Sequence, residues 1–297
     1  MSHSLAASPP STLRCGRFTL DLSHPRIMAI INVTPDSFSG DGLARDRDAA
    51  LRRAETAIEA GADMLDIGGE STRPGSDAVS ETEELDRVMP VLERLAQGPV
   101  PVSVDTMKPG VMREAVRVGA AMINDIHGFR SPGAIEAVSD SAAALCVMHM
   151  QGQPRTMQHA PEYSDVVSNV RDFLRERVDE LTRAGVERSR LVLDPGFGFG
   201  KTLEHNLALL RQLDALALDG LPLLIGVSRK SMLGAISGRP AGERLVAGLA
   251  VAQHALERGA RLVRTHDVAA TRDMIAVWSA VHDLSASRPQ QRMAPRQ

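Results

Sequence analysis

Aromatic side chains are rare in this chain, with one Trp, one Tyr and six Phe in 297 residues. Lysine is rarer still beside arginine: Lys108, Lys201 and Lys230 are the only three among 34 basic residues. Cys15 and Cys146 are the only cysteines, too few for a disulfide framework. Cys146 lies within the apolar run 144–148, so a buried free thiol in a reducing compartment is expected. No apolar run approaches the ~20 residues needed to span a bilayer. The first 14 residues carry no apolar segment of the secretory kind. The expectation is a cytoplasmic protein without a membrane partner. A formal net charge of −3 leaves no basic footprint for nucleic acid, so an anionic ligand would need a local cluster of cations. Two nucleotide signatures are missing as well. No G-x-G-x-x-G follows an apolar run, and the first glycine of a P-loop ending at Lys201 would fall on Pro195.

What is present is a regular alternation. With 43% hydrophobic and 24% charged residues, the composition is that of a soluble globular chain. Residues 1–14 and 285–297 read as disordered tails rich in Ser, Pro and Ala. Between them eight short apolar runs begin near Ile27, Met64, Val100, Met122, Ala144, Leu191, Pro222 and Arg261. Continuously apolar runs of this length mark parallel strands covered on both faces. Helical patterns follow, at 48–60, 81–96, 166–184, 244–258 and 269–281, four of them stopping at Gly61, Gly98, Gly185 and Gly259. The prediction is an α/β fold, a single (β/α)8 TIM barrel over 15–284, close to the ~250 residues usual for one. A doubly wound open sheet is the alternative, and its phosphate fingerprint is the part that is missing.

One stretch stands out: Asp194-Pro195-Gly196-Phe197-Gly198-Phe199-Gly200-Lys201. A carboxylate ends a strand and is followed by glycines alternating with two of the six Phe. Bare backbone, a carboxylate and ring faces suit a flat, nitrogen-rich heterocycle. A tight turn with both rings folded into the core is the other reading. Chemistry in such barrels sits at the C-terminal ends of the strands, and polar groups occupy every one of them here. Asp105, Asn124, Asp194 and Lys230 mix acceptors with donors and suit the edge of an amino-pyrimidine. Asn32, Arg73, Arg264 and His266 come from the first, second and eighth runs, neighbours in a closed barrel. They suit a phosphate, with Asn32 able to offer oxygen to Mg²⁺. Alternatives stay open for several positions. Asp125 and Asp267 could cap helices, Arg264 could pair with Asp267 or Glu70, His266 could be structural, and His149 between two Met reads as packing.

These segments resemble the signature segments of the dihydropteroate synthase family of pterin-binding enzymes. The likeness rests on 32–38, 69–75, 103–106, Asn124-Asp125, 194–201, 228–231 and 264–268. It implies condensation of 6-hydroxymethyl-7,8-dihydropterin pyrophosphate with p-aminobenzoate, giving 7,8-dihydropteroate and pyrophosphate in folate biosynthesis, with Mg²⁺ as cofactor. Carried over, Asp105, Asn124, Ile126, Met148, Asp194, Phe199 and Lys230 fall on the pterin side. Asn32, Arg73, Arg264 and His266 fall on the pyrophosphate side, with Asn32 as metal ligand. Thr72, Pro74, Phe38 and Ser231 fall on the aminobenzoate side. Catalytic roles fall on Asp105, Asp194 and Lys230, with Asp36 on a closing loop. The family implies a homodimer and a target of sulfonamides. One departure is Ile126-His127-Gly128-Phe129, where many members carry a small residue in place of His127 and glycine in place of Phe129.

Charge flow predicts an SN1-like route. Cations and Mg²⁺ draw off pyrophosphate, carboxylates stabilise the electron-poor pterin CH₂, and the neutral arylamine attacks. A folate-to-corrinoid methyltransferase domain and a non-catalytic paralogue are the rival readings. The first would need no anion site, and the second should show gaps among the motif residues.

Overall fold

The computed structural model describes residues 12–33, 43–71, 78–154 and 156–282, with the backbone alone for 43–46. A hairpin of β1 (Thr12–Cys15) and β2 (Phe18–Asp21) precedes the alternating part. The barrel strands are β3 (Arg26–Asn32), β4 (Met64–Gly68), β5 (Val102–Asp105), β6 (Met122–Asp125), β7 (Ala144–Met148), β8 (Leu191–Asp194), β9 (Leu223–Ile225) and β10 (Ala260–Thr265). They close in the order β10-β3-β4-β5-β6-β7-β8-β9, parallel at every pairing. This is the (β/α)8 barrel that the eight apolar runs predict.

Helices fill the crossovers. The expected five are α1 (Leu43–Glu59), α2 (Glu81–Leu95), α5 (Val166–Arg183), α8 (Leu245–Glu257) and α9 (Val268–Val281). Four more are shorter: α3 (Pro109–Val118), α4 (Ala134–Val138), α6 (Leu203–Arg211) and α7 (Ser231–Ser237). Local chemistry sets their ends. Ser80 accepts the Glu83 N–H at the start of α2, and Asp165 accepts that of Val167 at the start of α5. Among the described residues no helix is long and apolar enough to cross a membrane.

Alternation along each strand separates two environments. Outward side chains such as Ile27, Ile67, Val104, Leu145, Leu193 and Val263 join the main core against the helices. Inward ones are apolar only in the lower half, where Met28, Met64, Met122, Ala144, Cys146, Val192, Leu224 and Leu262 pack together. Above that layer the inward positions turn polar: Asp66, Ser103, Asn124, Asp194 and Arg264. The barrel is thus a packed plug below and a charged cup above.

The hairpin closes the lower end. Leu13, Cys15 and Leu22 join the inward Met layer, and the Gly16 N–H donates to Ala142 O just before β7 at 2.8 Å. Cys15 pairs with Phe18 across a two-residue turn. Gly16 opens that turn with φ +59, a left-handed value that glycine takes without penalty. Residues 12–14 therefore belong to a strand, where the sequence reading placed the end of a disordered tail. Leu13 and Cys15 are its inward pair, and so short an alternation is easily lost beside a tail of small residues.

Candidate active site

Each strand end delivers its group to one mouth. Asp105 is the last residue of β5 and Asn124 lies opposite it on β6. Asp194 ends β8, and Arg264 points inward from β10. Arg264 connects them. Its Nε donates to Asp66 Oδ2 at 2.6 Å and its Nη2 to Asp105 Oδ2 at 2.8 Å. Asn124 Nδ2 donates to the same Asp66 oxygen at 3.3 Å. Asp66 Oδ1 and Asn124 Oδ1 are buried without a hydrogen-bond partner, so two acceptors stand ready for a donor. Asp66 is fully buried. The sequence reading missed it, although a carboxylate inside Met64-Leu65-Asp66-Ile67-Gly68 is a signal, because alternation puts it on the inward face with Met64.

The Asp194 side follows from the glycines. Gly196, Gly198 and Gly200 hold φ of +69, +77 and +62. A Cβ on Gly196 would stand 1.9 Å from His149 O and one on Gly200 would stand 2.5 Å from Gln151 O, so no other residue fits either place. The turn brings the Gly196 N–H onto Asp194 Oδ1 at 2.7 Å. Lys230 Nζ donates to Phe197 O and stands 4.5 Å from the Phe199 ring centroid, a cation–π contact. Phe199 joins Ile126, Met148, Met107, Met150 and Met157 in one apolar wall. Phe197 is buried in the main core instead. The two rings divide the alternatives between them. Met107, Met150 and Met157 are additions to the expected wall, with no signal in the sequence beyond their apolar character.

The anion side is partly described. Asn32 ends β3 beside Gly68, where a side chain would meet Asn32 Oδ1 at 3.9 Å and Asp105 Cβ at 3.8 Å. Ser228 Oγ accepts the His266 backbone N–H at 3.2 Å and lies 3.0 Å from its Nδ1. The Ser228 hydroxyl thus holds the His266 ring at the rim of the mouth. Ser231 opens α7 and is exposed. Asp36, Phe38, Thr72, Arg73 and Pro74 lie outside the described residues.

Several bland alternatives resolve. Asp267 pairs with Arg229 at 2.7 Å, and Glu70 with Lys108 at 2.5 Å, so neither is the partner of Arg264. Arg264, grouped by sequence with the anion set, is bonded to Asp105 of the other set. Asp125 accepts the His127 and Phe129 N–H groups and caps that turn. His149 is packed edge-on against Phe173, 4.9 Å between centroids.

The departure at 126–129 also has a physical reading. Phe129 holds φ +58, a left-handed value suited to the glycine that many family members carry. Its ring is turned into the main core, 2% exposed, so it does not narrow the mouth.

Among the described residues, Asp66, Asp105 and Asp194 face Arg264 and Lys230, with the buried Lys201 acting on Asp194 from behind. Burial pushes the Asp105 carboxyl up to about 7; Arg264 opposes this, while Asp66, Glu84 and Asp125 add to it. Burial also raises Asp194, against Lys230 and the Gly196 N–H. Lys230 is brought down to about 8 by burial, with Asp194 opposing. Burial works against the Arg264 charge, but Asp66 and Asp105 outweigh it and keep the guanidinium ionised. Groups tuned in opposite directions in one cleft are what active sites contain.

A closed (β/α)8 barrel with this cup matches one class of protein. The sequence profile described as "pterin binding enzyme" fits residues 28–266, and the chain belongs to that family. Its relatives place it more narrowly, among the dihydropteroate synthases. The enzyme of that name from Haemophilus influenzae is 49% identical over 262 residues, 88% of this chain and 95% of the relative. Dihydropteroate synthase from Burkholderia cenocepacia, solved with 7,8-dihydropteroate, superposes with a TM-score of 0.85 at 53% identity. That likeness covers 94% of this chain and 99% of the other. The Yersinia pestis enzyme, solved as a sulfonamide drug complex, gives 0.87 at 46% identity over 92% and 99%.

Proposed function

We propose that this chain condenses 6-hydroxymethyl-7,8-dihydropterin pyrophosphate with p-aminobenzoate, giving 7,8-dihydropteroate and pyrophosphate. The observation that carries this is the set of acceptors on neighbouring strand ends, Asp105, Asn124 and Asp194, facing Lys230 above the Phe199 ring. A pterin edge presents amino and ring N–H donors beside a carbonyl. Asp105, Asn124 Oδ1 and Asp194 accept from the former, and Lys230 donates to the latter. Ile126, Met148 and Phe199 cover the ring faces. The product in the Burkholderia relative joins both substrates through one CH₂, which supports a shared site.

Pyrophosphate falls to Asn32, His266 and Arg73, with Arg264 between them and the pterin. The donor chemistry fits Mg²⁺, which keeps several waters and takes one or two protein oxygens plus phosphate. Asn32 Oδ1 is such an oxygen, and among the described residues no cluster of three His, Cys, Asp or Glu competes for it. When bound, the ion neutralises the leaving pyrophosphate. The His266 imidazole and the guanidinium groups share that task. As the C–O bond breaks, its electron pair leaves on pyrophosphate and the pterin CH₂ becomes cationic. The carboxylates of Asp66, Asp105 and Asp194 stand on the pterin side of Arg264, where their field favours that charge. Thr72, Pro74, Phe38 and Ser231 hold the p-aminobenzoate. Its nitrogen lone pair forms the C–N bond, and the proton departs afterwards to solvent, leaving no base to assign. Asp36 adds a further carboxylate from the first loop.

The same reading makes the protein a sulfonamide target, a cytoplasmic enzyme with its two buried thiols free, and a homodimer. For the dimer the support is the set of exposed apolar side chains on three consecutive, mutually packed helices: Ile236 on α7, Leu245 and Val246 on α8, Val277 and Val281 on α9.

The test is pyrophosphate release with both substrates and Mg²⁺, each omitted in turn and Mg²⁺ removed by chelation. Release should need all three. Tight pterin binding without release would make the protein a non-catalytic paralogue.

A further inference from the structure

The loop after β8 is built around one buried side chain. Lys201 is 3% exposed, although an ammonium is among the costliest groups to bury. Its Nζ lies 2.9 Å from Gly196 O, 3.0 Å from Phe199 O and 2.9 Å from His149 Nδ1, with His149 O at 3.4 Å. Its three N–H bonds have three acceptors, so the geometry fits the charged form even though burial lowers its pKa well below the ordinary lysine value. His149 completes the fit. Burial and the adjacent Lys201 charge hold its pKa down to about 2, so the ring is neutral, accepts at Nδ1 and keeps its proton on Nε2.

What the ammonium gathers are the peptides that carry the pterin-side groups. Gly196 offers its C=O to Lys201 and its N–H to Asp194 Oδ1 at 2.7 Å. The Phe199 carbonyl is held by Lys201, while its ring stands beside Lys230 Nζ. Phe197, between them, accepts from Lys230. One buried charge thus points the loop's carbonyls inward, and the Asp194 carboxylate and Phe199 ring are left facing the cup. Tyr163 Oη donating to Gly200 O at 2.8 Å and Asn206 Oδ1 accepting the Gly198 N–H at 2.8 Å fasten the loop's other end. Among the described residues Lys201 bonds to loop carbonyls and to His149 rather than to a carboxylate, so its charge is directed at the shape of this loop.

We infer that Lys201, with neutral His149 as its acceptor, is a positioning residue that sets dihydropterin affinity by fixing Asp194 and Phe199. This rests on the pterin-side reading of Asp194. The experiment compares Lys201→Met, Lys201→Gln and Asp194→Asn in the full-length protein, with steady-state kinetics for each substrate and direct calorimetric binding of dihydropterin pyrophosphate. Lys201→Met should raise KM and Kd for dihydropterin pyrophosphate about tenfold or more, the loss of one charge-assisted contact set. KM for p-aminobenzoate should stay within about twofold. Lys201→Gln, which keeps N–H donors, should lie between the two. It is read in the same way if the Met variant does not fold. Equal shifts in both KM values, or none in either, with Asp194→Asn weakening the pterin, would overturn the role of Lys201. Unchanged pterin affinity in Asp194→Asn would overturn the pterin-side reading itself.

Discussion

Arg264 on β10 and Asp105 on β5 meet across the barrel mouth at 2.8 Å, 159 residues apart in sequence. The same guanidinium holds Asp66 at 2.6 Å. Two carboxylates therefore share one cation in a site closed to water from below. Losing one partner of a buried pair costs about 3–5 kcal/mol. Arg264→Met should lower stability by about that much in urea unfolding, besides removing activity. Asp66→Asn keeps the shape and gives up one charge-assisted bond. It should lower kcat/KM for the pterin substrate by about tenfold or more. Unchanged kinetics in Asp66→Asn would remove Asp66 from the site.

The pH profile follows from opposite shifts. The Asp105 carboxyl sits at about 7, above its unfolded value near 4. The folded state binds the extra proton, so this group's contribution to stability falls as pH rises from about 4 to about 7. For binding the sign is reversed, since an acceptor must be ionised. The kcat/KM for dihydropterin pyrophosphate should rise through about 7 as Asp105 ionises. It should fall above about 8 as Lys230 loses its proton. Asp105→Asn should cut turnover at least about tenfold and flatten the acid limb. An acid limb that persists in Asp105→Asn would assign it to another group.

Phe129 sets two preferences against each other. Its φ of +58 costs a non-glycine residue about 1–2 kcal/mol, while its ring fills the core. Removing such a ring costs about 3–5 kcal/mol. Phe129→Ala keeps the strain and loses the ring, whereas Phe129→Gly loses both. The glycine variant should be the more stable of the two by about 1 kcal/mol, the reverse of the usual order in a helix. Denaturant midpoints decide it. An alanine variant at least as stable as the glycine one would show that the φ carries no strain.

Val246 is 78% exposed on α8, among the apolar side chains that the proposed dimer would cover. Val246→Glu should shift the protein from dimer to monomer in light scattering at micromolar concentration, with the barrel's circular dichroism unchanged. A wild-type protein that is monomeric throughout would sink the proposal.

The barrel was legible because its outward residues are apolar along every strand, and so were the polar strand ends. Asp66 was not, because attention to strand ends passes over a charge placed two residues inside one. Nor was the bond from Arg264 to Asp105, since sequence groups residues by neighbouring strands and a long side chain crosses the barrel. The β1–β2 hairpin was not seen. Its four-residue strands are shorter than any reliable alternation, and its purpose appears only when the open floor of Met28, Met64 and Met122 is in view. Lys201 looked like the end of a glycine motif, and its inward course depends on carbonyls that three left-handed turns expose.

The hairpin that stoppers the barrel has a practical consequence. The chain enters the described fold at Thr12, at the pole opposite the mouth. A fusion partner or surface tether joined ahead of Thr12 would therefore hang from the closed pole. Immobilised through that end, the protein would present its open cup outward, so sensor measurements of substrate and sulfonamide capture could be made without masking the entrance.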